Sequence, residues 1–171
     1  MSDLQQLYQQ VILDHSRARH GHGEIEPYSA ESFQVNPTCG DEVRLRVRLE
    51  WDGSVARLAE LGWMGRGCSI SQASLSVLHD LVAGQDVARS EELGETFREL
   101  MHGRGQELEP AKQDALQDAT AFVGVARYPA RIKCALLGWM ALRDALAHAL
   151  TTPATNHDGA ATSGALQEED Q

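Results

Sequence analysis

The sequence predicts an α+β domain, in which a small, mainly antiparallel three-stranded sheet carries helices packed on one face. Residues 43–49 alternate strictly between aliphatic side chains at odd positions and arginines at even positions, a pattern typical of a strand with one buried face. Asp52 and Gly53 follow as a tight-turn signal, which predicts that the next strand returns antiparallel. Apolar residues at helical spacing occur before and after these strands, which completes the mixed architecture.

The elements of the N-terminal part can be assigned in order. A helix is predicted over residues 4–16, with the Asp3 carboxylate as its cap. Glycines, histidines and a proline over residues 17–28 indicate a surface loop. Further strands are predicted over residues 32–35, at a sheet edge, and over residues 55–63. The predicted buried face of the first helix consists of Leu4, Leu7, Tyr8, Val11 and Ile12.

The C-terminal part is predicted to be helical. One helix is expected over residues 69–82. Residues 80–118 contain ten acids and only four bases, and their apolar spacing predicts outward-facing helices, the second of which includes residues 111–123. A last helix begins at Pro129, which suits a first helical turn, and extends to about residue 150.

Length and charge limit the classes of function. The chain has 171 residues, enough for one domain whose core needs no disulfides. Its net charge of −10 argues against general nucleic-acid binding and against docking on an anionic membrane. No signal peptide or membrane span is evident, so a cytoplasmic protein is expected. Residues 1–151 are predicted to form the folded domain, and residues 152–171 a disordered acidic tail.

Three cysteines lie where predicted elements begin or end. Cys39 lies in the turn-forming sequence NPTCGD, Cys68 directly precedes a helix, and Cys134 lies in the first turns of the last helix. Side chains at such positions can converge at one edge of a sheet, and Asp41 is the natural fourth member. Three thiolates and a carboxylate suit a tetrahedral zinc site, and a helix N-terminus favours the thiolate form. A lone cysteine would more often be a small buried residue, and the spacing matches no zinc-finger pattern.

The charge of this donor set needs compensation. Three thiolates and one carboxylate remain negative overall after one Zn²⁺ is counted. Arg66, Arg131 and Lys133 lie beside the predicted ligands in the sequence. We expect these cations to offset the excess negative charge.

The three cysteine motifs carry a family resemblance. NPTCGD, GCSISQAS and YPARIKC occur in this order and resemble the motifs of the U-type iron–sulfur cluster assembly proteins, the IscU/NifU-like family, over about residues 4–150. The SufU-type branch is the most similar, because of GCSIS and the long acidic segment between the second and third cysteines. Lys133 also points to this branch, since IscU-type scaffolds carry histidine before the third cysteine. One departure lies at residues 16–22, where family members often have an Asn-Pro-Arg-like stretch.

The resemblance implies a function and a set of site residues. SufU-like proteins bind one zinc ion per chain through the positions that match Cys39, Asp41, Cys68 and Cys134. They accept persulfide sulfur from a PLP-dependent cysteine desulfurase of the SufS type and pass it to the downstream iron–sulfur scaffold machinery. The position matching Cys39 is the sulfur acceptor, so the resemblance implies a zinc-dependent sulfurtransferase. Arg131 is hypothesised to stabilise or steer the freed Cys39 thiolate.

Two alternatives stay open at this point. The same cysteines could assemble a [2Fe–2S] cluster, which would make the protein a scaffold, although Lys133 removes an expected ligand for that role. A purely structural zinc site in an adaptor protein is the third reading.

Other polar residues receive simpler interpretations. His20 and His22 are expected in a solvated loop, because no third metal ligand lies nearby in the sequence. His15 and His79 are expected at surface or boundary positions of helices, and Trp139 in the core. A stripe of arginines on the predicted strand consists of Arg44, Arg46 and Arg48. It predicts an ordinary solvent-exposed strand face, and a docking surface for an acidic partner is the alternative.

Overall fold

A computed structural model describes residues 2–152 of the chain. Residues 153–171 of the predicted tail lie outside the described residues, so the tail and the domain boundary remain predictions. The elements, in chain order, are α1 (Asp3–Ala18), β1 (Ala30–Asn36), β2 (Asp41–Asp52), β3 (Val55–Arg66), α2 (Ser69–Val82), α3 (Val87–His102), α4 (Pro110–Leu116), a 3-10 segment (Gln117–Arg127) and α5 (Pro129–Thr151).

The three strands form one antiparallel sheet in the order β1-β2-β3, as the sequence predicts. Alternate aliphatic residues of β2, such as Val43 and Leu45, are fully buried, while the arginines between them point to the opposite face. The strands are longer than predicted, and their ends are in register: Asn36 pairs with Asp41, and Glu42 pairs with Arg66. One end of the sheet therefore brings the β1–β2 turn beside the exit from β3.

The helices cover the buried face of the sheet, which confirms the predicted α+β class. Helix α5 packs against β1 and β2, and α2 packs between α1 and α5. Phe97 of α3 stacks on Trp139 of α5 with ring centroids 4.8 Å apart and is itself fully buried. Trp139 is 5% exposed, so its predicted place in the core is confirmed. Within residues 2–152, no helix combines the length and the apolar character that crossing a bilayer requires.

The predicted cap and buried face of α1 are partly wrong. Ser2 caps the helix, because its side chain accepts a hydrogen bond from the Gln5 backbone in a reciprocal capping box, and Asp3 is already helical. Leu4 and Leu7 are 46% and 58% exposed, and Ile12 is the buried member of the predicted face. The buried residues of α1 lie in its C-terminal half, where it meets its neighbours.

The acidic segment also differs from the prediction. The expected second helix is interrupted at Gln117, which has a positive φ of 48°, and the chain continues as the 3-10 segment. The segment does not simply face outward, because Phe97 and Phe122 are both fully buried and meet edge to face. The acidic side chains of this segment are exposed to solvent, while the apolar side chains on the opposite faces of its helices are part of the core.

Candidate metal centre

The fold brings together residues from two predicted cysteine motifs. Cys39, Asp41 and Cys134 offer ligand atoms that all lie within 4.8 Å of one another. The Sγ atoms of Cys39 and Cys134 are 3.6 Å apart, although the two residues are 95 positions apart in the sequence. A turn and the first part of a long helix therefore meet at the same sheet edge.

Cys68 joins this group through Asp41. Its Sγ lies 3.6 Å from Asp41 Oδ2, and its backbone N–H donates to Asp41 Oδ1 over 3.1 Å. Cys68 is the N-cap residue of α2, so one carboxylate contacts both the thiol and the start of the helix. The four residues, Cys39, Asp41, Cys68 and Cys134, are called the cysteine centre below.

Cys39 lies on the turn between β1 and β2. The Asn36 side-chain oxygen accepts from the Thr38 N–H over 3.2 Å, and the Asn36 carbonyl accepts from the Gly40 N–H over 2.8 Å. Gly40 has a positive φ of 75°, a conformation that glycine adopts without strain. The turn thus presents an exposed Cys39 from a short loop rather than from a helix or strand.

Gly67 makes the close packing around Asp41 possible. A Cβ at this position would lie 2.6 Å from Asp41 Oδ1 and would also collide with Ser71 Oγ. The missing side chain leaves the space that the carboxylate occupies. This explains why the chain breaks β3 with a glycine directly before Cys68.

Two residues of the cysteine centre are buried and two are exposed. Asp41 and Cys134 are 3% and 6% exposed, whereas Cys39 and Cys68 are exposed. Burial on its own raises the pKa of Asp41, but hydrogen bonds from Cys134, Cys39 and Cys68 outweigh it and hold this pKa below its usual range. Burial is the main cause that raises the pKa of Cys134, and its contact with Asp41 adds to it.

These separations fit a tetrahedral zinc ion. With Zn–S near 2.3 Å and Zn–O near 2.1 Å, two sulfurs in a tetrahedral shell lie about 3.8 Å apart, and a sulfur and an oxygen about 3.6 Å. The Cys39–Cys134 and Cys68–Asp41 contacts are both 3.6 Å. Cys39, Asp41 and Cys134 are thus spaced for a common ion, whereas Cys68 lies outside their 4.8 Å group and is joined to it through Asp41. Three thiols with one carboxylate are a chemically suitable donor set for zinc, and the full ligand set stays a prediction.

The cations expected beside the centre have partners of their own. Arg66 donates to Glu42 over 2.9 Å, and the Arg131 guanidinium lies 4.8 Å from the centre of the Tyr128 ring. Lys133 is exposed. The arginines are therefore near the centre in the chain but are held by neighbouring side chains.

The predicted positive stripe on the sheet is largely neutralised. Arg46 contacts Glu31 at 2.6 Å and Glu26 at 3.0 Å. Arg48 contacts Glu60 at 3.0 Å and Glu50 at 2.9 Å. These ion pairs favour an ordinary solvent-exposed strand face over a docking surface for an acidic partner.

The structure contains a second group of ligating side chains that was not predicted from the sequence. His15, His20 and Asp80 offer ligand atoms within 4.8 Å of one another. His15 is 6% exposed, so its predicted surface or boundary position is wrong. His20 lies in the loop with a side chain 48% exposed, as predicted, and is hydrogen-bonded to Asp80 over 2.8 Å. His15 and His20 lie 60 or more positions before Asp80 in the chain, so no local spacing could reveal the full group. It is called the histidine cluster below.

Comparisons with known proteins agree with this geometry. Residues 7–135 match the model of the NifU-like N terminal domain. A relative from Streptococcus pyogenes serotype M1, named iron-sulfur cluster assembly scaffold protein IscU, is 37% identical over 147 residues, 85% of this chain and 86% of the relative. A relative from Bacillus subtilis (strain 168), named zinc-dependent sulfurtransferase SufU, is 36% identical over 146 residues, 85% of this chain and 93% of the relative.

Solved structures show the same similarity in three dimensions. The crystal structure of FiSufU from Fervidobacterium islandicum AW-1 superposes with a TM-score of 0.70 at 32% identity, covering 82% of this chain and 97% of that one. A NifU-like N-terminal protein from Brucella abortus shares the fold at 20% identity with a TM-score of 0.72, covering 89% and 100%. The family resemblance of the three cysteine motifs is confirmed, and the chain belongs to the NifU-like N-terminal domain family, as a SufU-type member of the IscU/NifU-like group.

Proposed function

We propose that the protein is a zinc-dependent sulfurtransferase that accepts persulfide sulfur from a PLP-dependent cysteine desulfurase and relays it to iron–sulfur cluster assembly. The observation that supports this proposal is the unequal mounting of the donors: Cys39, Asp41 and Cys134 lie within 4.8 Å of one another, and Cys68 contacts Asp41. Asp41 begins β2, Cys68 caps α2 and Cys134 lies within α5, while Cys39 lies exposed on a short turn. Three donors are thus fixed by secondary structure and one can leave.

Cys39 is the proposed nucleophile. Zinc, when bound, keeps its thiol ligands deprotonated at neutral pH. A freed Cys39 thiolate attacks the outer sulfur of the persulfide on the desulfurase cysteine. The new S–S bond forms on Cys39, the old S–S bond breaks, and the desulfurase cysteine leaves as a thiolate with the electron pair. Cys39 then carries the sulfur as a persulfide, with no net oxidation.

The other three donors are proposed to keep the metal while Cys39 is away. Cys134 and Asp41 are buried, and Asp41 is also hydrogen-bonded to the α2 backbone. The oxygen ligand suits an exchangeable shell, because a carboxylate binds zinc less softly than a thiolate does. A side chain of the desulfurase is expected to take the place of Cys39 on the metal.

The test is a desulfurase assay with cysteine as substrate, run with and without the protein and before and after chelation. A Cys39→Ser variant is expected to stay folded and to lose the acceleration of sulfur release. A Thr38→Ala variant, altered in the same turn, is the matched control and should accelerate the reaction like the wild type. If Cys39→Ser also accelerates it like the wild type, the transfer mechanism and the role of Cys39 are wrong.

Arg131 is proposed to steer the freed thiolate. It lies in the first turn of α5, three residues before Cys134, with its guanidinium against Tyr128. Arg131→Ala should reduce sulfur uptake by Cys39 while zinc content stays the same, and Lys133→Ala is the control from the same turn. Unchanged sulfur uptake in Arg131→Ala would remove this role.

Cluster assembly on the same cysteines is the second candidate, favoured by the name of the Streptococcus pyogenes relative. Lys133 opposes it, because the position before Cys134 offers no imidazole. Anaerobic reconstitution separates the two functions. A stable chromophoric [2Fe–2S] cluster at one per chain would support the scaffold, whereas tight zinc without a competent cluster would support transfer.

A further inference from the structure

We propose that the histidine cluster is a second metal site, which binds a divalent transition metal ion through His15, His20 and Asp80, separately from the cysteine centre. The three residues come from three places: α1, the loop that follows it, and α2. Asp80 lies 12 positions after Cys68 along α2, which corresponds to about 18 Å at the rise of a helix. The two groups of donors therefore cannot share an ion.

The donor set suits a metal of borderline softness. Two imidazoles and one carboxylate are ligands that zinc, iron(II), cobalt(II) and nickel(II) all accept. The three ligand atoms lie within 4.8 Å of one another, so small rotations of side chains would bring them to a common ion. His20 and Asp80 have half-exposed side chains, which leaves a path for an ion to enter.

His15 already has the outer partner that metal-bound histidines use. Its Nε2 lies 2.8 Å from Asp118 Oδ2, and its Nδ1 lies 2.8 Å from Ser76 Oγ. A proton on Nε2, held by the carboxylate, leaves the lone pair on Nδ1, which accepts from the Ser76 hydroxyl; a metal ion bound at Nδ1 would replace that hydrogen bond. Carboxylate–histidine pairs of this kind fix the tautomer and orient the ring for a metal.

His20 is held in place by its backbone. Its N–H donates to Ser76 Oγ over 3.0 Å, and its carbonyl accepts from the Trp63 indole over 2.8 Å. Gly21 has a positive φ of 78°, and a Cβ there would lie 2.5 Å from Cγ of His79. The loop thus lies directly on α2, and the cluster is preorganised rather than formed by chance encounters of surface side chains.

A further imidazole borders the cluster. His79 Nδ1 is buried without a hydrogen-bond partner and lies 3.5 Å from Asp80 Oδ1. An uncompensated buried nitrogen beside the proposed ligand carboxylate is unfavourable in a purely structural network. His79 is not among the residues whose ligand atoms lie within 4.8 Å of one another, so it borders the site without completing it.

The test uses the full chain without a histidine tag, with the cysteine centre first filled by one equivalent of Zn²⁺. Co²⁺ is then added at neutral pH, and its weak visible bands are followed together with the melting temperature. We expect one further Co²⁺ per chain, without a sulfur-to-cobalt charge-transfer band, and a melting temperature that rises with Co²⁺ concentration because the ion binds the folded state.

The variants decide between a built site and adventitious binding. His20→Asn and Asp80→Asn should each weaken the second Co²⁺ by at least about 10-fold, the lower end of what the loss of an outer partner costs. His22→Asn, in the same loop but packed on Trp63, is the matched control and should bind like the wild type. Circular dichroism checks that each variant is folded.

Three results would overturn the proposal. The first is the absence of a second equivalent, and the second is equal weakening in His22→Asn and His20→Asn. The third is a charge-transfer band that accounts for all the bound cobalt, because it would place the ion in the cysteine centre. None of these readouts depends on sulfur transfer, so the proposed function can stand or fall separately.

Discussion

The cysteine centre and the histidine cluster each include a residue of α2 or its N-cap, but their side chains are held in different ways. In the cysteine centre, two of the three thiols are exposed, and Cys39 is carried by a turn. In the histidine cluster, His15 is buried in α1 and is bonded at both ring nitrogens. The difference shows how one small domain can combine a thiol carried by an exposed turn with an imidazole fixed at both ring nitrogens.

Both groups rely on a glycine that lets two segments approach closely. Gly67 leaves room for the Asp41 carboxylate, and Gly21 leaves room for the His79 ring. A side chain at position 67 would collide with Asp41 of the cysteine centre, and one at position 21 with His79 beside the histidine cluster. Substitutions at or near these groups therefore show whether they are independent, as the geometry implies.

The largest expected effect is the loss of zinc from Cys134→Ser. Cys134 is the buried thiol of the centre, and its removal takes away the sulfur ligand that the fold holds most firmly. We expect zinc affinity to fall by more than about 100-fold, beyond the 10–100-fold that the loss of an outer partner costs. Competition with a chromophoric chelator measures this change.

Two further variants serve as comparisons for the zinc affinity of Cys134→Ser. Cys39→Ser should lower zinc affinity less than Cys134→Ser, because three fixed ligands remain. His20→Asn should leave zinc in the cysteine centre unchanged. Equal losses in Cys39→Ser and Cys134→Ser would contradict the idea that Cys39 is the exchangeable ligand.

Gly67→Ala is expected to have the next largest effect. The new methyl group would push Asp41 away from Cys68, which acts on the centre without removing a donor. Zinc affinity should fall by roughly 10–100-fold, as for a disturbed outer partner. Gly124→Ala is the control, since a Cβ there meets nothing within 4 Å. A Gly67→Ala variant with wild-type zinc affinity would show that Asp41 is not held as described.

The sequence predicted the cysteine centre better than the histidine cluster, for a physical reason. Each of Cys39, Cys68 and Cys134 lies next to a local signal, a turn or a helix start, and such signals mark the ends of elements, which meet at a sheet edge. His15 and Asp80 lie inside helices, where nothing local shows which face will be buried against which partner. Their proximity follows from the packing of α1 on α2, which is a tertiary property.

The same distinction applies to the rest of the fold. The alternation in β2 and the bounds of α2 could be predicted, because period and capping are local. The exposure of Leu4 and Leu7 and the interruption at Gln117 could not, because each depends on where neighbouring helices end. Helical spacing identifies an apolar face but does not say how much of it finds a partner.

The smallest expected effect is that of Ser76→Ala, which tests whether the two groups are independent within α2. Ser76 Oγ is fully buried and serves both the His15 ring and the His20 N–H, so its removal leaves these groups without a partner. The free energy of unfolding should fall near the lower end of the roughly 1–3 kcal/mol that such losses cost, because the loop can admit water. Chemical denaturation of the variant, compared with the exposed Ser69→Ala control, measures it. Zinc affinity should not change; a fall in zinc affinity would mean that α2 couples the cysteine centre to the histidine cluster.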